Sequence, residues 1–476
     1  MFRVAFEARL LAVLAALLAT GPSWAVTVPP EGACPPYALE SEPGRTAQED
    51  VVPPQLRVGE RIDMSRLRQI RGYLPPEVWA RRDLFFYEGM RLEIGPCHRR
   101  YPAPEFFRNA TRKNAGQVDL DSEGNLIGYE GEGMPFPPET IGDDAPEAGQ
   151  QWAWNYRYRY MGAGFRGPFR IVHVDPRKGK GSRYEGTFTL VPLHGIPGLL
   201  SSEPGGYRFA AGGKFDKPAI ARGVAWRQLR PRDVDKNYKR SDDLFVWIPE
   251  QRKVRRAPPQ SVDGLFMPTY QRGQMGDAGV MALPGGGTRV PDASLGVIEH
   301  QRRGFVGLVL RPNAYGFHLV RVQDVLAPIN SNGFGYPGDP DRSYGPTGLS
   351  LANDRWELRR AVVLRGAQRD PDRIVQSVTL YVDVLTGQPL YFVSRRKNHL
   401  IYEIGILMGK FSADDPLQAR WVGNDEGSGV ILPVAAAFFV AGGEGWLRES
   451  FDLRSDPPDK DELTNLTTTK QLHRGR

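Results

Sequence analysis

Short runs of alternating apolar and polar residues, fenced by glycine and proline, set the tightest limit on what this chain can fold into. Alternation with period two gives a strand one apolar face and one polar face, whereas a helix needs a period near 3.6. The clearest run is 154–160, where Trp154, Tyr156, Tyr158 and Tyr160 would share one face of a strand and Asn155, Arg157 and Arg159 the other. Further strands are expected at 184–191, 220–229, 244–248, 305–310, 317–322, 356–364, 374–384, 390–394 and 400–406. Two hairpins follow from turn chemistry, one around Thr386-Gly387 and one around Ser122-Glu123-Gly124-Asn125. Strands separated by Gly/Pro clusters, without helices alternating between them, point to an antiparallel sheet. A short helix is expected at 74–86, where Pro75 and Pro76 suit a helix start. Long loops at 194–206, 283–293 and 328–350 are either lids or surface insertions.

The first 25 residues have the layout of a secretory signal: Arg3 and Arg9, an apolar run from Leu10 to Thr20, and small residues before a cut after Ala25. That apolar run would reach about 16 Å as a helix, against a hydrocarbon core of roughly 30 Å. Residues 26–60 read as an extended arm, 61–451 as the β domain and 452–476 as a flexible tail without apolar periodicity. One large domain and two fused halves are both open at this length. The net charge of +7 falls to +6 once Arg3, Arg9 and Glu7 are removed. In an exported protein that mild excess suits an anionic lipid headgroup or an ordinary soluble surface better than nucleic acid. Cys34 and Cys97 are the two cysteines. In an oxidising compartment a disulfide between them is one reading and two thiols the other. Such a bond would stabilise the fold by roughly 4 kcal/mol through loop closure.

Motifs for catalysis are missing from the sequence. The seven histidines are scattered, with no H-E-x-x-H, and Gly427-Ser428-Gly429 falls short of a nucleophile elbow. No cofactor is expected, and hydrolysis would need a site assembled from distant residues. Asp119, Asp121, Glu123 and Glu130 match the ligand spacing of a calcium loop, but strand-like flanks favour a plain hairpin turn. Arg252, Lys253, Arg255 and Arg256 form the densest basic cluster, suited either to an anionic headgroup or partner, or to carboxylates on neighbouring strands.

The run Ser241-Asp242-Asp243-Leu244-Phe245-Val246-Trp247-Ile248-Pro249-Glu250-Gln251-Arg252-Lys253-Val254-Arg255-Arg256-Ala257-Pro258 resembles the signature of the exported bacterial family known as domain of unknown function 1329, whose members are likened to the LolA/LolB lipoprotein carriers. The turn at 121–125 with Gly133-Met134-Pro135-Phe136-Pro137, the aromatic run at 154–160 and the hairpin at 378–394 agree with it, over roughly 60–410. The resemblance implies a mainly β fold: an incomplete antiparallel β-barrel, or half-barrel, with a few covering helices and long loops. It also implies a periplasmic, non-enzymatic carrier or accessory protein for a lipidic or hydrophobic molecule, beside an inner-membrane exporter or an outer-membrane protein. Trp154, Tyr156, Tyr158, Tyr160, Phe245 and Trp247 are then the expected wall of the ligand site, and the basic cluster its headgroup or partner contact. A protein-binding assembly factor and a periplasmic hydrolase are the rival readings.

Overall fold

The computed structural model describes residues 26–36, 55–175, 180–195, 206–256, 264–267, 281–282, 288–289, 309–332, 344–415, 425–441 and 445–474. Residues 1–25, expected as a signal sequence, and most of the strand expected at 305–310 lie outside these residues, as do large parts of the three long loops.

Two short strands come first, β1 (Arg61–Ile62) and β2 (Leu92–Ile94), with two short helices between them, α1 (Pro76–Ala80) and α2 (Arg82–Phe85). Helix α3 (Glu105–Lys113), the hairpin β3 (Asp119–Leu120) and β4 (Leu126–Ile127), and helix α4 (Ala148–Arg157) follow. A first meander runs through β5 (Phe165–Asp175), β6 (Lys180–Pro192), β7 (Tyr207–Lys217), β8 (Ala225–Pro231), β9 (Asp243–Ile248) and β10 (Lys253–Arg256). Beyond the small pair β11 (Met281–Ala282) and β12 (Thr288–Arg289), a second meander comprises β13 (Tyr315–Ala327), β14 (Arg355–Gln368), β15 (Ser377–Asp383), β16 (Pro389–Arg395), β17 (Ile401–Phe411), β18 (Ile431–Val440) and β19 (Gly445–Phe451). Helix α5 (Lys460–Leu466) ends the described chain, with a single 3-10 turn after it.

The two meanders are one sheet, because β19 returns to pair antiparallel with β5, Ser450 opposite Arg170. The strand order is therefore β13-β14-β15-β16-β17-β18-β19-β5-β6-β7-β8-β9-β10, and among the described residues β13 and β10 do not pair with each other. This is a mainly β fold built on a large sheet that does not close, carrying few helices. At one corner β2 adds to β14 in parallel, Glu93 opposite Arg355.

Both faces of the sheet are covered. On one, α4 lies against β13 and β14, and its aromatics join Val362, Leu364, Leu380, Phe392 and Phe438 in one apolar cluster. On the other, Ile62, Leu67, Ile70 and Val78 from the N-terminal segment share a cluster with Ala361, Val363, Ile404 and Ile406. Double cover explains why β18 (ILPVAAAFFV) is apolar almost throughout and carries no alternation. Cys34 and Cys97 are joined by a disulfide, and Gly32 N–H donates to the Cys97 carbonyl at 2.9 Å, so residues 26–36 are strapped to the body.

Two expectations are corrected. Residues 154–157 are helical, within α4, and not a strand. Positions 154, 156, 158 and 160 are spaced by two but also by four, and four is the helical repeat: Trp154 stacks on Tyr158 with ring centroids 6.0 Å apart and planes 18° from parallel. The helix is buried on nearly every side, so no polar stripe marks its period. The expected flexible tail is also ordered over 460–474. Asp459 accepts from Glu462 N–H at 2.7 Å while Glu462 accepts from Asp459 N–H at 3.0 Å, a reciprocal cap that starts α5. Leu466 and Leu472 are buried against the outer face of the sheet.

Candidate functional site

An apolar cavity of about 310 Å³ opens at the end of the sheet where α3 crosses the β15–β16 turn and the start of β18. Phe107 and Thr111 of α3, Tyr160, Val430 and Ile431 form its walls, and Thr386 and Gln388 of the turn close one side. The glycine of that turn, Gly387, has φ 69°, which a side chain would resist.

Each wall is fixed by local chemistry. Helix α3 begins after Pro104, a residue that cannot extend the helix upstream. At its other end Asn114 Nδ2 donates to the Glu132 and Met134 carbonyls, both at 2.8 Å, and Thr111 Oγ1 accepts from Met134 N–H at 2.9 Å. Gly133 makes this contact feasible, since a Cβ there would lie 2.4 Å from Thr111 N. The same segment is clasped from the other side by Asn155 of α4, whose Oδ1 accepts from Phe136 N–H at 3.0 Å and whose Nδ2 donates to the Phe136 carbonyl at 2.5 Å. Tyr160 is held edge-on by Phe106 and tilted against Phe107, at 6.0 and 5.1 Å.

The electrostatics are divided between floor and mouth. Tyr101 borders the cavity and donates to Glu357 at 2.5 Å; burial pushes both the Tyr101 hydroxyl and the Glu357 carboxyl above their ordinary ranges. Beneath the turn, Arg359 clamps Asp383 through two hydrogen bonds of 2.9 and 3.1 Å, and Asp383 in turn accepts from Thr386 N–H at 2.9 Å. At the mouth stand Arg108 and Arg112, one helical turn apart on α3 and both exposed, with Arg108 3.5 Å from Asp425. Glu139, also exposed, lines the same opening, so the rim carries two cations and one anion over apolar walls, an arrangement that suits an amphiphile with a polar or anionic head. Among the described residues no cluster of three or more His, Cys, Asp or Glu side chains could hold a metal ion.

Of the six aromatics expected to line a ligand site, Tyr160 alone borders this cavity. Trp154, Tyr156 and Tyr158 are core residues of α4 and its C-terminal end. Trp154 Nε1 donates to the Gly124 carbonyl at 2.9 Å, Tyr156 accepts from Leu310 N–H at 3.2 Å, and Tyr158 bonds Asp235, which Arg208 also holds at 2.6 Å. Phe245 and Trp247 sit on the opposite face of β9 from Leu244, Val246 and Ile248, under the C-terminal segment, where Trp247 meets His473 at 5.8 Å. The basic cluster is an exposed edge strand: Arg252 turns the chain with φ 48°, Arg255 bonds Gln251 at 3.0 Å and Arg256 pairs with Asp243 at 2.5 Å. Cations on an edge discourage sheet-to-sheet association. Asp121 Oδ1 accepts from Glu123 and Asn125 N–H at 2.8 and 2.9 Å, so its carboxylate shapes the β3–β4 hairpin; Asp119 and Glu130 are exposed beside it.

Comparison with solved structures finds distant similarities. A putative outer membrane lipoprotein-sorting protein domain from Vibrio parahaemolyticus covers 68% of this chain and 100% of its own, at 11% identity and TM-score 0.39. A DUF1329 family protein from Desulfovibrio piger covers 69% and 99%, at 13% and 0.41. A LolA superfamily protein from Nitrosomonas europaea covers 64% and 93%, at 14% and 0.31. No curated protein matches the chain. Residues 61–275 match the sequence profile of the family described as "Protein of unknown function (DUF1329)"; the signature at 241–258 lies inside that span and the hairpin at 378–394 outside it. That segment runs from β1 to beyond β10, and over it the chain is similar to the DUF1329 family.

Proposed function

We propose that this protein is a periplasmic, non-enzymatic carrier that takes the end of an amphiphile's apolar chain into the cavity between α3 and the β15–β16 turn, with Arg108 and Arg112 meeting the anionic head. The observation that carries this reading is the pairing of apolar walls at Phe107, Tyr160 and Val430 with two exposed arginines at the mouth. At about 0.8 kcal/mol for each buried methylene, six methylenes would contribute about 5 kcal/mol without any covalent step. The cavity of about 310 Å³ limits the guest to part of a chain. Export through residues 1–25 and delivery to an exporter or outer-membrane partner belong to the same reading.

Binding of N-phenyl-1-naphthylamine, displaced by lauric acid, tests it. Ala103 lines the cavity. Ala103→Trp fills the space and is expected to weaken both ligands at least tenfold, a loss of about 1.4 kcal/mol, with unchanged far-UV circular dichroism. Charge reversal at Arg108 and Arg112 should weaken lauric acid and spare the neutral dye. Absence of saturable dye uptake by the wild-type protein, together with native mass spectra showing a tightly held protein partner and no lipid, would favour an assembly factor instead.

A further inference from the structure

Four arginines buried in this fold are matched by carboxylates: Arg208 by Asp235, Arg230 and Arg311 by Asp242, and Arg359 by Asp383. Arg157, Arg159 and Arg227 are buried as well, and burial lowers the pKa of each; of these, Arg227 faces a cavity. It stands on β8 with 3% of its surface exposed, on the face opposite Trp226 and Gln228. Its Nη2 donates to the Asn465 carbonyl of α5 at 3.2 Å, and its Nε has no acceptor among the described residues. Burial pushes its pKa down to about 10, and no described carboxylate opposes that shift. A buried, uncompensated guanidinium is costly unless something pairs with it.

Arg227 borders a cavity of about 470 Å³ between the outer face of β6–β8 and the C-terminal segment. Thr187 and Thr189 of β6 line the same space, as does Gly212 of β7, where a Cβ would stand 3.0 Å from Arg227 Nη1. Across from them, three carboxylates line the exposed side: Asp459 caps α5, Glu462 holds Arg166 at 2.8 Å, and Asp461 adds its charge from the same exposed turn. Arg454, also at the rim, pairs with Asp456 at 3.2 Å. The polar floor and the acidic outer rim are thus separate, and the unmatched positive charge is at the floor.

We infer that this cavity is a binding site for a small oxyanion-bearing ligand, a phosphate or carboxylate, with Arg227 as its counter-charge and the Thr187 and Thr189 hydroxyls as further donors. A planar guanidinium presents paired N–H groups suited to either oxyanion. The site lies on the opposite face of the sheet from α4 and is independent of the apolar cavity beneath α3. The C-terminal segment walls it on one side, so occupancy also ties that segment to the sheet.

Isothermal titration of the full mature protein with sodium phosphate and, separately, with citrate, at ionic strength held constant with sodium chloride, tests the inference and tells the two ligand classes apart. Saturable binding of at least one anion is expected, with millimolar Kd or tighter. Arg227→Met should weaken it at least tenfold while leaving the thermal midpoint of the unliganded protein unchanged or higher, and Arg227→Lys should retain part of it. Thr189→Val, at a half-buried strand position, supplies a second reading should the methionine variant fold poorly: it should weaken binding with little effect on stability. Failure of both anions to bind the wild-type protein, or undiminished binding by Arg227→Met or Thr189→Val, overturns the site.

Discussion

Asp242→Ala is expected to destabilise the protein by about 3–5 kcal/mol, the usual cost of removing one partner from a buried ion pair. Asp242 is fully buried and serves two arginines at once: its Oδ2 accepts from Arg230 Nη2 at 3.0 Å and its Oδ1 from Arg311 Nη2 at 2.7 Å. Gln228 adds a bond of 2.7 Å to Oδ2 and uses its own Oε1 to accept from Phe266 N–H at 2.7 Å. The cluster therefore joins β8 and the entry to β9 to residues 264–267 and 309–311, two described stretches between the two meanders. Most of the loss would come from leaving two guanidinium groups buried without their shared counter-ion, not from the worth of the contacts themselves. Adding Arg311→Met to Asp242→Ala should accordingly recover part of the stability, because one stranded charge is removed. Urea unfolding followed by circular dichroism measures both, and a loss below about 1 kcal/mol for Asp242→Ala would show that solvent reaches the site.

Asp242 was visible in the sequence only as one letter of a family signature, and the contrast shows what local patterns can and cannot report. Strand β9 and the β15–β16 hairpin were legible because Leu244, Val246 and Ile248, and then Val378, Leu380 and Val382, face one core in strict alternation. Strand β18 was not, since apolar residues on both faces erase the alternation. In α4 the alternating aromatics gave the wrong period. The available counter-signal was composition: residues 148–164 contain no Val, Ile or Thr, the β-branched types that a real strand of this length would be expected to carry. For α5 the signal was Asp459 three residues before Glu462, with Leu463 and Leu466 on one helical face. The cavity beneath α3 had no local signature, because its walls come from stretches around 101–112, 134–139, 160, 385–388 and 429–431. Those segments come partly from the chain before the first meander and partly from the second meander, far apart in sequence.

Acid should weaken this fold through His98 before most carboxylates titrate. The imidazole is 1% exposed, neither ring nitrogen has a hydrogen-bond partner among the described residues, and burial, reinforced by Arg359 and Arg360, pushes its pKa down to about 4, with Asp383 opposing. Asp324 Oδ1 stands 4.0 Å from Nε2 but is paired with Arg360 at 3.0 Å, so it offers the ring little as a counter-ion. The folded state therefore holds His98 neutral, while the unfolded chain protonates it near the ordinary value of about 6.5. Its contribution to stability is whole above about pH 6.5 and declines as pH falls toward about 4, by up to roughly 3 kcal/mol. His194, held down to about 3 chiefly by burial, adds a slope of the same sign that extends lower. His98→Asn separates the two, and asparagine tolerates the left-handed backbone at φ 54° that this position requires. The variant is expected to be less stable than the wild type at pH 7, because the smaller side chain leaves a void, yet to lose less stability between pH 7 and pH 4.5. Equal losses over that interval, measured as urea midpoints, would mean that His98 takes up its proton in the folded protein as readily as in the unfolded chain.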